Sequence, residues 1–169
     1  MADKTYTVVR TDMLSGTHEI AYLRSAKFFN AENAQEDIEN GRVVKIGALL
    51  EGEREIRKAE TPAVDTPLSQ IGLVASPEYF VDERNRNLSD FTNKIDGDAL
   101  RVYMLKTGDM FGVTASGFNT TPAVGNIVEL QASTTMKVTS TLTSGSTQIG
   151  TIIAIENESG YTYYVVEVA

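Results

Sequence analysis

The sequence predicts a mainly β protein: an antiparallel β-sandwich or small β-barrel with an extended N-terminal segment and at most one or two short helices. Three observations carry this. Residues 98–169 fall into short runs of β-branched and aromatic residues cut by Gly-containing turns, the spacing of strands joined by hairpins. That half contains no stretch with apolar residues at i, i+3, i+4 and i+7, the mark of an amphipathic helix. The charge is uneven: residues 1–97 hold 17 acids and 12 bases, residues 98–169 only 6 acids and 3 bases, with a boundary near Asp96, Gly97 and Asp98.

The elements follow in order. Residues 5–10 read as a strand, and residues 19–24 return from a turn at Ser15 and Gly16 as its hairpin partner. Residues 32–38 are expected as a turn of helix, with Asn40 and Gly41 as its stop or as a hairpin turn. Residues 42–50 form a buried strand. Residues 51–58 alternate charge at the β period, with Glu51, Glu53 and Glu55 on one face and Arg54, Ile56 and Lys58 largely on the other. This is a solvated hairpin or a strand edge defended by charge, with an arm fixed to a neighbouring subunit as the alternative. A connection with two prolines leads to a strand over 68–75, and Ser89 caps a short helix over 89–95.

Further strands are expected over 99–106, 110–115, 126–131 and 135–139, with turns at Gly108 and Gly117. The turn at 143–146 joins 136–142 to 148–155 as a hairpin, because a Gly flanked by small polar residues tolerates positive φ. A turn at 157–160 leads into the closing strand, 161–168. A closed or nearly closed barrel in this half would remove its free edges. The domain reading is an N-terminal extension or arm with a hairpin over 1–40, a charged β-rich segment over 41–97 and a C-terminal antiparallel β-domain over 98–169, with 41–169 able to form one compact unit.

Composition narrows the function. A chain of 169 residues suits one domain and buries about 70% of its surface on folding. With 41% hydrophobic and 22% charged residues, and no apolar run near the roughly 18 residues of a spanning helix, neither disorder nor a membrane protein is indicated. The first residues lack a basic stretch leading into an apolar core, so synthesis in a cytoplasm is expected. Cysteine is absent, which removes disulfides, thiol nucleophiles and cysteine-ligated metals. A net charge of −8 is the wrong sign for phosphate neutralisation, so neither nucleic acid nor a membrane is expected as partner. One histidine and no tryptophan leave little equipment for acid–base work. A non-enzymatic role with no cofactor and no metal is the expectation.

Most of the candidate sites point the same way. His18 and Glu19 are adjacent, so on a strand they face opposite ways and cannot orient each other. Glu32, Glu36, Asp37 and Glu39 form the densest acidic cluster, but a helical run would spread their oxygens around its circumference. Asp96-Gly97-Asp98 opens like a calcium loop and lacks the later ligands. Gly108 to Gly112 has spaced glycines without a phosphate-binding lysine. Tyr161 and Tyr163 share one strand face and Tyr164 takes the other. Residues 22–29 are different: they gather three aromatics with bases and hydroxyls in an otherwise acidic chain. Aromatic and Arg side chains dominate interface anchors. The candidate partner surface is therefore Tyr22, Leu23, Arg24, Lys27, Phe28 and Phe29, with Arg54 and Arg57.

The N-terminal residues 1–29, the strand of residues 41–49 and the segment 71–79, followed by a Gly-rich terminal β-domain, resemble the layout of the head decoration, or capsid cement, proteins of tailed bacteriophages. The resemblance implies a non-enzymatic structural protein on the outer surface of a capsid, made in the bacterial host cytoplasm. It would contact the major capsid protein, self-associate as a trimer or other oligomer, and stabilise contacts between capsomers. Its N-terminal segment is expected to be flexible when free and ordered on the shell. The alternatives are another virion component, such as a head fibre base or a tail or baseplate protein, and a small carboxylate-based hydrolase. The last requires two carboxylates among Asp90, Asp96, Asp98 and Asp109 to converge in a pocket.

Overall fold

The computed structural model describes residues 5–14, 22–80, 82, 84 and 86–169. It is mainly β, in two units. Strands β1 (Leu23–Phe29), β2 (Val43–Leu49), β3 (Ile56–Glu60), β4 (Ile71–Val74) and β5 (Leu100–Met104) hydrogen-bond in the order β1-β3-β2-β4-β5. The pairing of β1 with β5 closes them into a barrel. Strands β6 (Met110–Thr114), β7 (Ile127–Glu129), β8 (Lys137–Thr139), β9 (Gln148–Glu158) and β10 (Tyr161–Val168) form a second sheet, ordered β6-β10-β9-β7-β8.

Period-two alternation builds the barrel interior. Ala26 and Phe28 of β1, Val44 of β2, Ala59 of β3, Val74 of β4 and Leu100 and Val102 of β5 make one buried cluster, joined by Ile38. The barrel is narrow, so small residues are needed where strands approach closely: a Cβ on Gly72 would overlap Cγ1 of Val102. A second cluster lies between the units. It joins Val43, Ile71, Leu73, Ala75 and Leu105 from the barrel side to Phe111, Val113, Val128, Ile149, Ile152, Tyr164 and Val166 from the sheet. Each such fully buried aliphatic contributes roughly 1.5–3 kcal/mol. The two units thus share a core.

Several expectations change. The closed barrel lies in the first part of the chain, while the C-terminal strands form the open sheet. The division at residues 96–98 does not follow the sheets, because β5 belongs to the barrel. Residues 1–40 are not an arm over their described part. Residues 23–29 are a barrel strand, and residues 8–10 lie along β6 through the Val9–Val113 bridge and the bonds from Arg10 N to Gly112 O and Thr114 N to Val8 O. Thr7, Val8 and Val9 are buried there, so this segment does not wait for a shell in order to fold. The hairpin of 5–10 with 19–24 is absent over the described residues, because Leu23 and Arg24 pair with β5 instead. The Ser15–Gly16 turn and the His18–Glu19 pair lie outside the described residues.

Nor is the architecture purely antiparallel: β1 and β3 run parallel, with β2 beyond β3. Residues 32–38 form no helix. Asn30 Oδ1 accepts from Glu32 N and Ala34 N, holding a wide turn that places Gln35 opposite Phe29. The side chain offers the backbone an alternative to helical bonds. The Ser89 helix reduces to one 3-10 turn, Leu88–Asp90, without a side-chain cap. The turn at 143–146 forms, but β8 and β9 are not partners, because β7 lies between them. The turn after β9 does make a hairpin, with Ser159 and Gly160 both at positive φ, as a two-residue type I′ turn requires.

Candidate functional site

Parallel pairing puts the starts of β1 and β3 at the same end of the barrel. There the inward rows change character. Two positions before Ala26 stands Arg24, and two before Ala59 stands Arg57, so the apolar plug gives way to guanidinium groups at the mouth. Arg24 Nη1 donates to Leu23 O at 2.9 Å and Arg57 Nη1 to Gly47 O at 3.1 Å, fixing both stems. Arg101 of β5 lies opposite Ser25, and Arg54 is in the exposed β2–β3 connection.

These residues line one groove of about 970 Å³, with Leu23, Leu49, Tyr79, Phe91, Lys94 and Leu100 also on its walls. Its charge is the reverse of the chain's. Five bases (Arg24, Arg54, Arg57, Lys94 and Arg101) face two acids, Glu55 and Asp98, in a molecule of net charge −8. Lys94 is neutralised by Asp37 at 2.7 Å. Among the described residues, Arg54, Arg57 and Arg101 meet no carboxylate. Tyr79 is 77% and Leu49 46% exposed, so the groove offers apolar surface beside its charge.

The eight residues expected to form a partner surface separate into four sets. Leu23, Arg24, Arg54 and Arg57 are brought together in the groove. Tyr22 lies in an adjoining groove that shares Arg24, with Lys106 Nζ 3.1 Å above its ring. Lys27 and Phe29 are on the outer wall: Lys27 Nζ donates to Ile95 O and Gly97 O, and Lys58 Nζ stands 5.4 Å from the Phe29 ring centre. Phe28 points into the barrel core and is covered. Arg101, Tyr79 and Lys94 were not among the expected residues. Arg101 carries a legible signal, a lone base between the inward Leu100 and Val102, but its nearness to Arg57 depends on barrel closure.

Buried and half-buried carboxylates hold the frame. Glu39 Oε2 accepts from Thr7 N and Oγ1 at 2.9 Å and from Arg42 Nη2 at 2.8 Å, tying the N-terminal segment to the barrel. Glu129, fully buried on β7, pairs with Lys137 Nζ at 2.7 Å and accepts from Thr143 N at 2.7 Å and from Thr143 Oγ1. Burial opposes its ionisation, yet the bonds from Lys137 and Thr143 together outweigh that and hold its pKa below the ordinary value. Glu78 differs. Burial pushes its pKa up, against weaker opposing contributions from Asn40 and Arg86.

The acidic cluster is spread out, with Asp37 on Lys94 and Glu39 on Arg42. Among the described residues, no three His, Asp or Glu side chains are grouped to hold a metal ion. A third groove, lined by Glu36, Asp37, Glu39 and Arg42, takes none of Asp90, Asp96, Asp98 and Asp109. Across the three grooves only Asp98 of those four is a lining residue, so the convergence a carboxylate hydrolase needs is not formed in them. Tyr163 and Tyr164 are both buried, the first near Arg10 and the second edge-on to Phe118, and make no stacking platform. Comparison with family models, curated proteins and solved structures finds no match for the chain.

Proposed function

We propose that this protein is a non-enzymatic structural protein that binds the outer surface of a tailed-phage capsid, through the major capsid protein, and stabilises contacts between capsomers. One observation supports it most: the groove at the barrel mouth assembles Leu23, Arg24, Arg54 and Arg57 with exposed Tyr79 and Leu49. Arg and Tyr flanked by aliphatic surface is the composition of interface anchors. The frame suits adhesion, since the barrel is closed and shares its core with the sheet, so a load applied at the mouth is carried by both units. No cofactor enters this reading, and self-association as a trimer or other oligomer is part of it.

The test is co-sedimentation of the purified chain with expanded, undecorated shells. Saturable binding at a fixed ratio to capsomers is expected, with the shells becoming more resistant to heat. Failure to bind would defeat the capsid reading. Association instead with isolated tails or baseplates would move the protein to another position in the virion.

A further inference from the structure

We infer that the barrel-mouth groove is a receptor for an extended, carboxylate-rich peptide segment of the protein on which the chain docks. The inference rests on the adhesion reading only for who supplies that segment. The sign of the groove is the first ground: its five bases and two acids oppose the net charge of −8. An acidic molecule is repelled by the net charge and attracted where these bases gather, which favours position as well as partner.

The kind of base is the second ground. Four of the five are arginine, whose planar fork matches a carboxylate with two parallel bonds. Arg57 is already held by the Gly47 carbonyl, so less side-chain freedom is lost when it engages a ligand. Arg54, Arg57 and Arg101 meet no carboxylate among the described residues, so binding need not break an existing ion pair at these three.

Shape is the third ground. The lining comes from β1, the end of β2, the β2–β3 connection, β3, residues 76–79, residues 91–99 and β5, an open depression across the barrel end rather than a closed cavity. Exposed Tyr79 and Leu49 at its walls suit an extended backbone with apolar residues between its acids. Nucleic acid also carries anions, but it would present a continuous polyanion to a protein that is acidic elsewhere.

The experiment uses the full chain and a fluorescein-labelled oligoglutamate of about ten residues, long enough to cross the barrel end in extended form. Titration followed by anisotropy at low salt should saturate, and should weaken steeply as salt rises to about 0.5 M. Arg57→Gln with Arg101→Gln should reduce affinity at least tenfold, while Lys45→Gln, outside the groove, should leave it unchanged. Arg57 also braces the barrel, so Arg54→Gln with Arg101→Gln, both exposed, serves as the second variant, with a melting curve to show that it is folded. Absence of saturable binding, or equal binding by a folded groove variant, overturns the proposal. Tighter binding of an oligothymidylate of the same length would replace the peptide by nucleic acid.

The shell assay separates the two readings. Peptide binding without shell binding defeats the capsid reading and leaves the groove standing. Shell binding that the folded groove variants retain in full overturns the groove as the anchor and leaves the capsid reading intact.

Discussion

The barrel and the sheet solve the same problem by opposite means. Every barrel strand has a partner on both sides, so the barrel protects its edges by topology alone. The open sheet borrows cover. Residues 8–10 lie along β6, and residues 117–119 run beside β8, through Met136 N to Gly117 O, Asn119 N to Met136 O and Val138 N to Asn119 Oδ1. The difference explains where polar groups are placed. Inside a closed barrel, charge that meets no carboxylate is tolerated only at the ends, and there Arg57 stands among the described residues. The sheet buries its charge as a completed pair, Glu129 with Lys137, which pins residue 143 of the following loop.

Removing residues 2–29 should have the largest effect. It leaves β3 and β5 each with an open edge and empties the places of Ala26 and Phe28, so cooperative melting by circular dichroism should be lost. A soluble remainder with a sharp transition would show that the sheet stands without the barrel. Next, Leu73→Ala should cost about 3–4 kcal/mol, since Leu73 is fully buried in the shared cluster. One transition at lower temperature is expected, and two resolved transitions in calorimetry would break the shared-core account.

Gly150→Ala tests the sheet alone, because a Cβ there would overlap Glu167 O of the neighbouring strand, and backbone cannot swing aside. A loss of about 3 kcal/mol is expected in urea unfolding. Gly72→Ala, which meets the side chain of Val102, should cost less. Glu129→Ala leaves Lys137 and the Thr143 N–H without their partner, at about 2 kcal/mol near neutral pH. Because the folded pKa of Glu129 is lowered, its contribution is present above the ordinary value of 4.5 and is lost as pH falls through the folded value, so the variant and the parent should converge in acid.

Glu78→Gln should give the smallest change and the opposite sign. Its folded pKa is raised, so its contribution is present in acid and lost as pH rises through that value. The substitution should raise the melting midpoint by about 2–4 °C near pH 7 and leave it unchanged in acid. A melt series against pH on both variants would show whether the two buried carboxylates behave oppositely.

Much of the strand content was legible because alternation is local. Leu100, Val102 and Met104 mark one face of β5, and Asn157 to Gly160 mark the hairpin turn, without reference to the rest of the chain. Strand order was not, because it depends on which distant edge a strand meets. The turn at 143–146 suggests β8 beside β9, yet β7 fits between them, its Val128 opposite both Val138 and Gly150. The helix expected at 32–38 failed on one side chain, since Asn30 supplies the bonds that its turn needs. At the groove, the bases of residues 22–29 and 51–58 stood out in the sequence. The place of Arg101 and Tyr79 beside them did not, because only closure of the barrel brings these residues together.

That closure also sets an order of assembly. Leu23 must find Tyr103 and Val9 must find Val113, whereas Glu158 and Tyr161 are neighbours. Closing a loop of roughly 80 residues costs about 2 kcal/mol more chain entropy than closing one of ten. The β9–β10 hairpin can therefore form within microseconds, while ring closure belongs to the slow end of small-domain folding. During synthesis β1 is the earliest of the barrel strands to emerge, and it waits for β5 before its second edge is covered. Until then the growing chain carries an exposed strand edge, and the interval between those two strands is when it is most open to pairing with the wrong neighbour.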